Sequence, residues 1–180
     1  MVKTAITLAA AAALAMAASA AALPAATSPT TFSFAQWVED IISHPDTALT
    51  VDEAIAGAHA ASIVGSAGGL QKRAYCESAI GTPRAPGRDA AACVDYLARL
   101  GGLGYICGVP PGKPTLGMCV IGGAQIVASQ SNNIANSVNC NDVARTAGLI
   151  FDSCWRADDT VMGGEVCINS PKLYIVIAGI

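Results

Sequence analysis

Charged and aromatic residues are scarce in this 180-residue chain. Charged side chains make up 13% of the sequence, aromatic ones make up 5%, and the formal net charge is −3. Soluble domains usually carry roughly 25% charged residues, so this composition argues against a solvated, disordered chain. The lack of a basic excess argues against a nucleic-acid partner. The length leaves room for one domain and excludes a long repeat array.

Histidine is confined to His44 and His59, so residues 74–180 contain none. That part of the chain lacks the most common general base and any Ser-His or Cys-His nucleophilic pair. The glycine pairs lack the strand-to-helix context of a phosphate loop, and we expect no cofactor. The carboxylate pairs that remain are Asp158 with Asp159 and Glu77 with Asp89. The Asp pair fits a polar turn, so we predict no enzyme and keep a carboxylate-dependent hydrolase as the less favoured alternative.

The first residues have the three parts of a secretory signal peptide. Lys3 supplies the positive charge, residues 5–17 are apolar, and residues 18–22 offer small-residue cleavage sites. A membrane anchor is disfavoured because alanine partitions weakly into lipid and Pro24 follows at once. We therefore assign residues 1–22 as a signal peptide and predict that the protein is secreted to the extracellular space.

A dibasic pair, Lys72 and Arg73, separates a cysteine-free stretch from a cysteine-rich one. The pair follows the small, glycine-rich residues 65–69, and a processing protease needs such an exposed, extended segment. We predict that residues 23–73 are a pro-segment, that an endoprotease cuts after Arg73, and that residues 74–180 are the mature domain.

The pro-segment has the pattern of two short amphipathic helices. Apolar residues recur at helical spacing before Pro45, and Thr50 with Glu53 forms a capping-box pattern that opens a second helix through Ala61. The apolar residues of the first helix are Phe34, Trp37, Val38, Ile41 and Ile42. An apolar face with two aromatic rings needs a partner. One hypothesis is that it covers residues 74–180 until cleavage, and a sorting signal is the alternative.

All seven cysteines follow the dibasic pair: Cys76, Cys93, Cys107, Cys119, Cys140, Cys154 and Cys167. Successive cysteines lie 12 to 21 positions apart with no histidine among them, which disfavours a zinc site and favours three disulfides. We predict no metal. Alternation along its strand places Cys167 beside Glu165, away from the core, so Cys167 is the candidate unpaired thiol. The pairing of the other six stays open.

The order of elements in residues 74–180 predicts an α+β fold. In sequence these are a helix from Asp89 to Leu100, a strand over 118–129, a helix capped by Asn141 and ending near Cys154, and strands over 161–168 and 172–178. We predict a small disulfide-stabilised sandwich with two helices packed on a mostly antiparallel sheet. The side chains of the last strand expected to face the helices are Leu173, Ile175 and Ile177.

The leader, the helical pro-segment and the cysteine pattern together resemble small secreted cysteine-rich proteins of filamentous fungi. The helix, glycine turn and apolar last strand are also similar to killer-toxin-like and necrosis-inducing effector families, which are α/β sandwiches. The residues that carry this resemblance are Cys140, Val143, Cys154, Gly163 and Gly164. Asp152, Ser153 and Cys154 stand where killer toxins have His-Gly-Cys. Channel-blocking activity therefore does not follow from the resemblance, and no site residue carries over.

The resemblance implies a secreted effector or toxin-like virulence protein that binds an extracellular protein, membrane or glycan. The candidate contact residues are Arg84, Arg88, Tyr105, Lys113 and the Ser/Asn-rich residues 131–137. The main alternative is a cell-wall or glycan-binding module, in which Trp155 and Tyr174 would be exposed stacking platforms.

Overall fold

Four helices and eight strands lie in the residues that the computed structural model describes, which are 32–64, 74–76, 82–131 and 134–180. The helices are α1 (Phe34–Ser43), α2 (Val51–Val64), α3 (Gly87–Gly102) and α4 (Cys140–Cys154). The strands are β1 (Ala85–Pro86), β2 (Ile106–Val109), β3 (Thr115–Ile121), β4 (Ala124–Gln130), β5 (Asn136–Asn139), β6 (Thr160–Val161), β7 (Gly163–Cys167) and β8 (Ser170–Gly179). The proposed signal peptide and the Lys72–Arg73 pair lie outside the described residues.

Helices α1 and α2 confirm the two helices predicted before the dibasic pair. The Ser33 hydroxyl caps α1 by accepting the backbone N–H of Gln36 at 3.2 Å. At the start of α2, a Glu53 carboxylate oxygen accepts the backbone N–H of Thr50 at 2.8 Å, and the Glu53 N–H donates to the Thr50 hydroxyl at 3.4 Å. These side chains satisfy amide groups that have no partner within a helix start.

A four-stranded antiparallel sheet with the order β3-β4-β8-β7 forms the base of the fold. The single strand predicted over residues 118–129 is wrong, because β3 and β4 form a hairpin there. Gly122 has a φ of +52°, a backbone conformation that glycine adopts without steric cost, and it reverses the chain. The mainly apolar residues 118–129 therefore contain a turn, and Gly122 with Gly123 is its only signal in the sequence.

The predicted hairpin at the end of the chain is confirmed with one correction. β7 and β8 pair around a turn in which Asn169 has a φ of +62°. Thr160 and Val161 do not continue β7 but form β6, which pairs with β1 in a separate two-stranded sheet. β2 and β5 form another two-stranded sheet. Such short pairings lack the periodicity that reveals a longer strand in a sequence.

Helices α3 and α4 pack side by side on one face of the four-stranded sheet, which confirms the predicted α+β arrangement. Leu173, Ile175 and Ile177 of β8 are buried on that face, as expected. On the other face of the same strand, Tyr174 and Val176 are only half-buried. The core therefore lies mainly between the helices and one side of the sheet.

Both main helices begin earlier than the sequence indicates. α4 is capped by Asn139, whose side-chain oxygen accepts the N–H of Asn141 at 2.8 Å, so the assignment of Asn141 as the cap is wrong. In α3, Asp89 lies in the first turn and accepts the N–H of Gly123 at 2.7 Å. Its carboxylate thus joins α3 to the β3–β4 turn instead of capping its own helix.

Helix α1 forms a further layer on α3 and α4, which the sequence suggested only as a hypothesis. Phe34, Trp37, Val38 and Ile41 are each 0–2% exposed and belong to the same core cluster as the side chains of α3, α4 and the sheet. Residues before the dibasic pair therefore pack as part of the fold.

Leu97 and Leu103 offer a matched test of this core. Leu97 in α3 is 0% exposed, whereas Leu103, just beyond the same helix, is 76% exposed. We expect Leu97→Ala to lower the free energy of unfolding by about 2–5 kcal/mol through lost burial and a residual cavity. Leu103→Ala should change it by less than about 0.5 kcal/mol. Urea unfolding with the disulfides intact measures both, and equal losses would contradict the described packing.

Candidate functional site

Three disulfides join six of the seven cysteines, and all three lie in residues 74–180. The pairs are Cys76–Cys154, Cys93–Cys119 and Cys107–Cys140. Two of them hold the first and last residues of α4, and the third ties α3 to β3. Each such bridge stabilises a fold by roughly 2–4 kcal/mol, mainly by restricting the unfolded chain.

Cys167 is the free cysteine, but the reason given for it from the sequence is wrong. We expected Cys167 to point away from the core, whereas it is buried beneath α4, with its sulfur 3.8 Å from the Thr146 hydroxyl. Gly163 lies on the same face of β7, and its missing side chain leaves room for Cys154 and Ile150 of the helix. The glycine-containing face of β7 therefore turns inward. Burial raises the pKa of the Cys167 thiol to about 11, so it stays protonated near neutral pH.

An aromatic cluster joins α1 to the end of α4. The Phe34 ring centroid lies 4.4 Å from that of Phe151 and 5.6 Å from that of Trp155. Phe151 and Trp155 stack on one another at 5.9 Å. Offset and tilted ring pairs at these distances add attraction beyond the burial of their area. The rings of Phe151 and Trp155 form a pocket that receives Phe34, the first residue of α1.

Gly148 lets the backbones of α1 and α4 approach each other closely. A β-carbon on Gly148 would lie 3.0 Å from the Ala35 α-carbon and 3.2 Å from the Phe34 carbonyl oxygen. Because both neighbours are backbone atoms, a larger residue here would push the helices apart. A glycine inside a helix lowers its intrinsic stability, so this position favours close packing over helix propensity.

Asp152 of α4 receives the N-terminus of α1. Its carboxylate oxygens accept the Ser33 hydroxyl at 2.7 Å, the Phe34 N–H at 2.6 Å and the Ala35 N–H at 3.0 Å. Burial raises the pKa of the Asp152 carboxyl, and these hydrogen bonds act in the opposite direction. A negative charge is unfavourable in the last turn of α4 but favourable at the first turn of α1, because the two helix ends carry opposite partial charges.

Arg145 binds the middle of α1. Its Nε and Nη2 donate to the two carboxylate oxygens of Glu39 at 2.7 Å and 3.0 Å, and its Nη1 lies 3.3 Å from an Asp142 oxygen. The hydrogen bond to Glu39 raises the pKa of the Arg145 guanidinium. Paired N–H···O bonds of this kind fix orientation as well as adding energy.

Three more polar contacts join the residues before the dibasic pair to the rest of the fold. Arg99 donates to the Pro45 carbonyl at 3.1 Å. Arg88 bonds Asp52 at 2.9 Å, and His59 lies 2.9 Å from Asp159. These contacts involve exposed side chains, so each stabilises the packing only modestly.

The surface formed by α4 and the residue that follows it is called the α1 groove below, and it consists of Arg145, Gly148, Phe151, Asp152 and Trp155. Arg145 and Asp152 contact α1, because α4 is covered on a second side besides the one that packs on α3 and the sheet. Two signals in the sequence pointed to the second contact. They were Gly148 in the middle of the helix and Asp152 in its last turn, because each residue destabilises an isolated helix at that position.

The predicted contact residues are spread over the surface and have different roles. Arg84 is half-buried and donates to the Thr160 hydroxyl at 2.7 Å and to the Cys154 carbonyl at 2.7 Å, so it supports the fold. Tyr105 and Lys113 are exposed, and Arg88 is exposed but engaged with α2. Of the Ser/Asn-rich residues, 132 and 133 lie outside the described residues.

Neither of the two aromatic rings proposed as stacking platforms is fully exposed to solvent. Trp155 is half-buried beneath α1, and Tyr174 is half-buried with its ring against Gly164. Burial raises the pKa of the Tyr174 hydroxyl. A glycan-binding surface of these two rings therefore has no support from their exposure.

The carboxylates proposed as catalytic pairs have separate structural roles. Asp158 accepts the Thr160 hydroxyl at 2.6 Å, and Asp159 lies against His59. Asp89 binds the β3–β4 turn, and Glu77 lies outside the described residues. Within the described ranges, no group of three or more His, Cys, Asp or Glu side chains is placed to hold a metal ion.

Residues 71–179 match a family described as a domain of unknown function (DUF8794). The chain belongs to this family. The DUF8794 match contains the sheet, α3, α4, the three disulfides and every residue of the α1 groove, and it leaves out α1 and α2. No match was found among curated proteins or among solved structures. None of the helices in the described residues is long and apolar enough to cross a membrane.

Asp152→Asn tests the polar end of the groove. The asparagine amide keeps one acceptor oxygen but sets an N–H₂ group against donors of α1, which leaves a half-buried donor without a partner. We expect a loss of about 1–3 kcal/mol in the free energy of unfolding. Asp46→Asn, in an exposed turn, is the matched control and should have little effect. Denaturant unfolding measures both, and an unchanged Asp152→Asn protein would refute the described cap.

Cys167 should resist labelling in the folded protein. Near neutral pH we expect a thiol reagent to modify no cysteine in native protein and one in denaturant. The raised pKa also predicts a pH effect. The unfolded thiol ionises near its ordinary value of 9.0 and the folded one only near about 11, so the contribution of Cys167 to stability is present below 9.0 and is lost as the pH rises through 11. The same titration of Cys167→Ala lacks this contribution, and rapid native labelling would contradict the burial.

Proposed function

We propose that this chain is a secreted, toxin-like or effector-like proprotein that is cut after Arg73, and that residues 74–180 then bind an extracellular target. The N-terminal residues have the composition of a signal peptide. The disulfides support an oxidising environment, since such bonds persist mainly outside the cytosol. The resemblance to cysteine-rich proteins of filamentous fungi supports the toxin-like or effector-like assignment.

The α1 groove is the observation that carries this proposal. Phe34 of α1 covers the rings of Phe151 and Trp155, and three further side chains of α1 are buried in the same core, yet every disulfide lies beyond the dibasic pair. After a cut at Arg73, noncovalent contacts alone would hold residues 23–73 on the mature domain. A contiguous apolar surface marks an interaction site once it is exposed, and a cut after Arg73 would allow its cover to leave.

A second exposed surface is available for a target. Leu103 and Tyr105 follow α3, Ile106 begins β2, and all three side chains are exposed, so three of four successive residues present large apolar side chains to solvent. Tyr105 is one of the contact residues proposed from the sequence. This loop lies in the DUF8794 region and stays exposed whether or not α1 is present.

Intact-mass analysis of the protein secreted by its producer tests the processing. We expect a species with the mass of residues 74–180 less the hydrogens lost in three disulfides. Lys72→Ala with Arg73→Ala should be secreted uncut, because the protease loses its recognition pair. Lys113→Ala with Lys172→Ala, both at exposed positions, is the control for loss of two positive charges and should still be cut.

Target binding is tested with the same two secreted proteins. Each is labelled and its retention on cells and on isolated cell walls is measured. We expect the cut protein to be retained more strongly than the uncut variant. Full-length, reduced protein inside the producer, or no retention of the cut form, would refute the proposal.

A further inference from the structure

We propose that the α1 groove is a helix-binding site, and that α1 occupies it in the place of an acidic, amphipathic helix of a partner protein. This inference rests on the proposed function, because α1 can leave the groove only after the proposed cut at Arg73. It adds the location of the binding site and the chemistry of its ligand. The groove has the parts of a helix-in-groove interface, in which an apolar helix face lies in a matching channel.

The Asp152 carboxylate identifies the ligand as a helix and sets its direction. It accepts two consecutive backbone N–H groups and an N-cap hydroxyl, the donors that a helix N-terminus presents together. An extended strand or a helix in the reverse direction would place no such donors there. The partner helix therefore begins at Asp152 and runs towards Arg145.

The contacts of α1 define the sequence that the groove accepts. The Phe151–Trp155 pocket takes an aromatic residue at the first helical position, and Gly148 lets the ligand backbone approach closely at the first two positions. Further buried positions follow one and two turns later. The buried residues of α1 that define this pattern are Phe34, Trp37, Val38 and Ile41.

The rim of the groove favours an acidic ligand. Arg145 binds Glu39, and Arg88 and Arg99 bind an acidic side chain and a carbonyl of the covering segment. Removal of the segment would take Glu39 from Arg145 and Asp52 from Arg88, whereas Arg99 would keep its ion pair with Asp95 and Arg145 its longer contact with Asp142. The bidentate site at Arg145 then complements a helix that carries a carboxylate outside its apolar stripe, and opposite charges favour selective association.

A synthetic peptide of residues 32–44 serves as the probe. The full chain is purified, cut at Lys72–Arg73, and mixed with the fluorescein-labelled peptide, and binding is followed by fluorescence anisotropy. We expect the peptide to exchange into the cut protein and to bind the uncut protein about tenfold more weakly or worse, since the tethered α1 competes for the groove.

Matched peptides test the pattern. Phe34→Ala should weaken the peptide by about tenfold or more, because it removes the aromatic anchor. Gln36→Ala, at an exposed position of α1, should bind within about twofold of the parent peptide. Asp152→Asn in the cut protein should weaken the parent peptide as well.

Three results would overturn the inference. They are no exchange of the peptide even after prolonged incubation in excess, equal binding of the Phe34→Ala peptide, and loss of the circular dichroism of the cut protein when its N-terminal fragment departs. The last result would make α1 a permanent part of the fold. None of these depends on cleavage by the producer, so secretion of uncut protein would refute the proposed function and leave the groove measurement intact.

Discussion

Helix α4 is held at both ends and along two of its sides. Its two terminal residues are disulfide-bonded, one face packs on α3 and the sheet, and the face along Gly148 and Phe151 packs on α1. The disulfides and the sheet contacts lie within residues 74–180, whereas α1 belongs to a segment without cysteine. The contact of α4 with α3 and the sheet is therefore reinforced by disulfides, whereas its contact with α1 is noncovalent.

The contact between α1 and α4 includes polar groups as well as buried apolar side chains. A core element is usually secured by burial alone, but α1 is also oriented by a cap on its N-terminus and by a bidentate ion pair at Arg145. Cap and ion pair supply direction and selectivity more than stability, because hydrogen bonds with solvent are exchanged for those within the protein. Such features are typical of recognition surfaces, where the wrong ligand must be refused.

The DUF8794 match includes α4 but not α1. The matched region contains the groove and not its occupant, so the surface beneath α1 belongs to the family domain and α1 to the segment before it. Without α1, the rings of Phe151 and Trp155 would lose their cover. Exposed aromatic surface promotes association, so the cover provided by α1 limits association through these rings.

Some features could be predicted from the sequence because their signals are local. The capping box at Thr50 and Glu53, the apolar period of α1 and the alternation of β8 depend only on neighbours along the chain. The α+β class follows from the order of such elements. The spacing of the cysteines likewise predicts disulfides in place of a zinc site.

Long-range choices needed the tertiary structure. Which cysteines pair, which face of β7 turns inward, and what lies against Asp152 depend on segments that are far apart in the sequence. By itself the sequence determined the helices, the sheet strands near the C-terminus and the presence of bridges. Tertiary packing decided that α1 fills a groove on α4. The negative charge of Asp152 is unfavourable in the last turn of its own helix and becomes favourable only when the N-terminus of α1 lies against it.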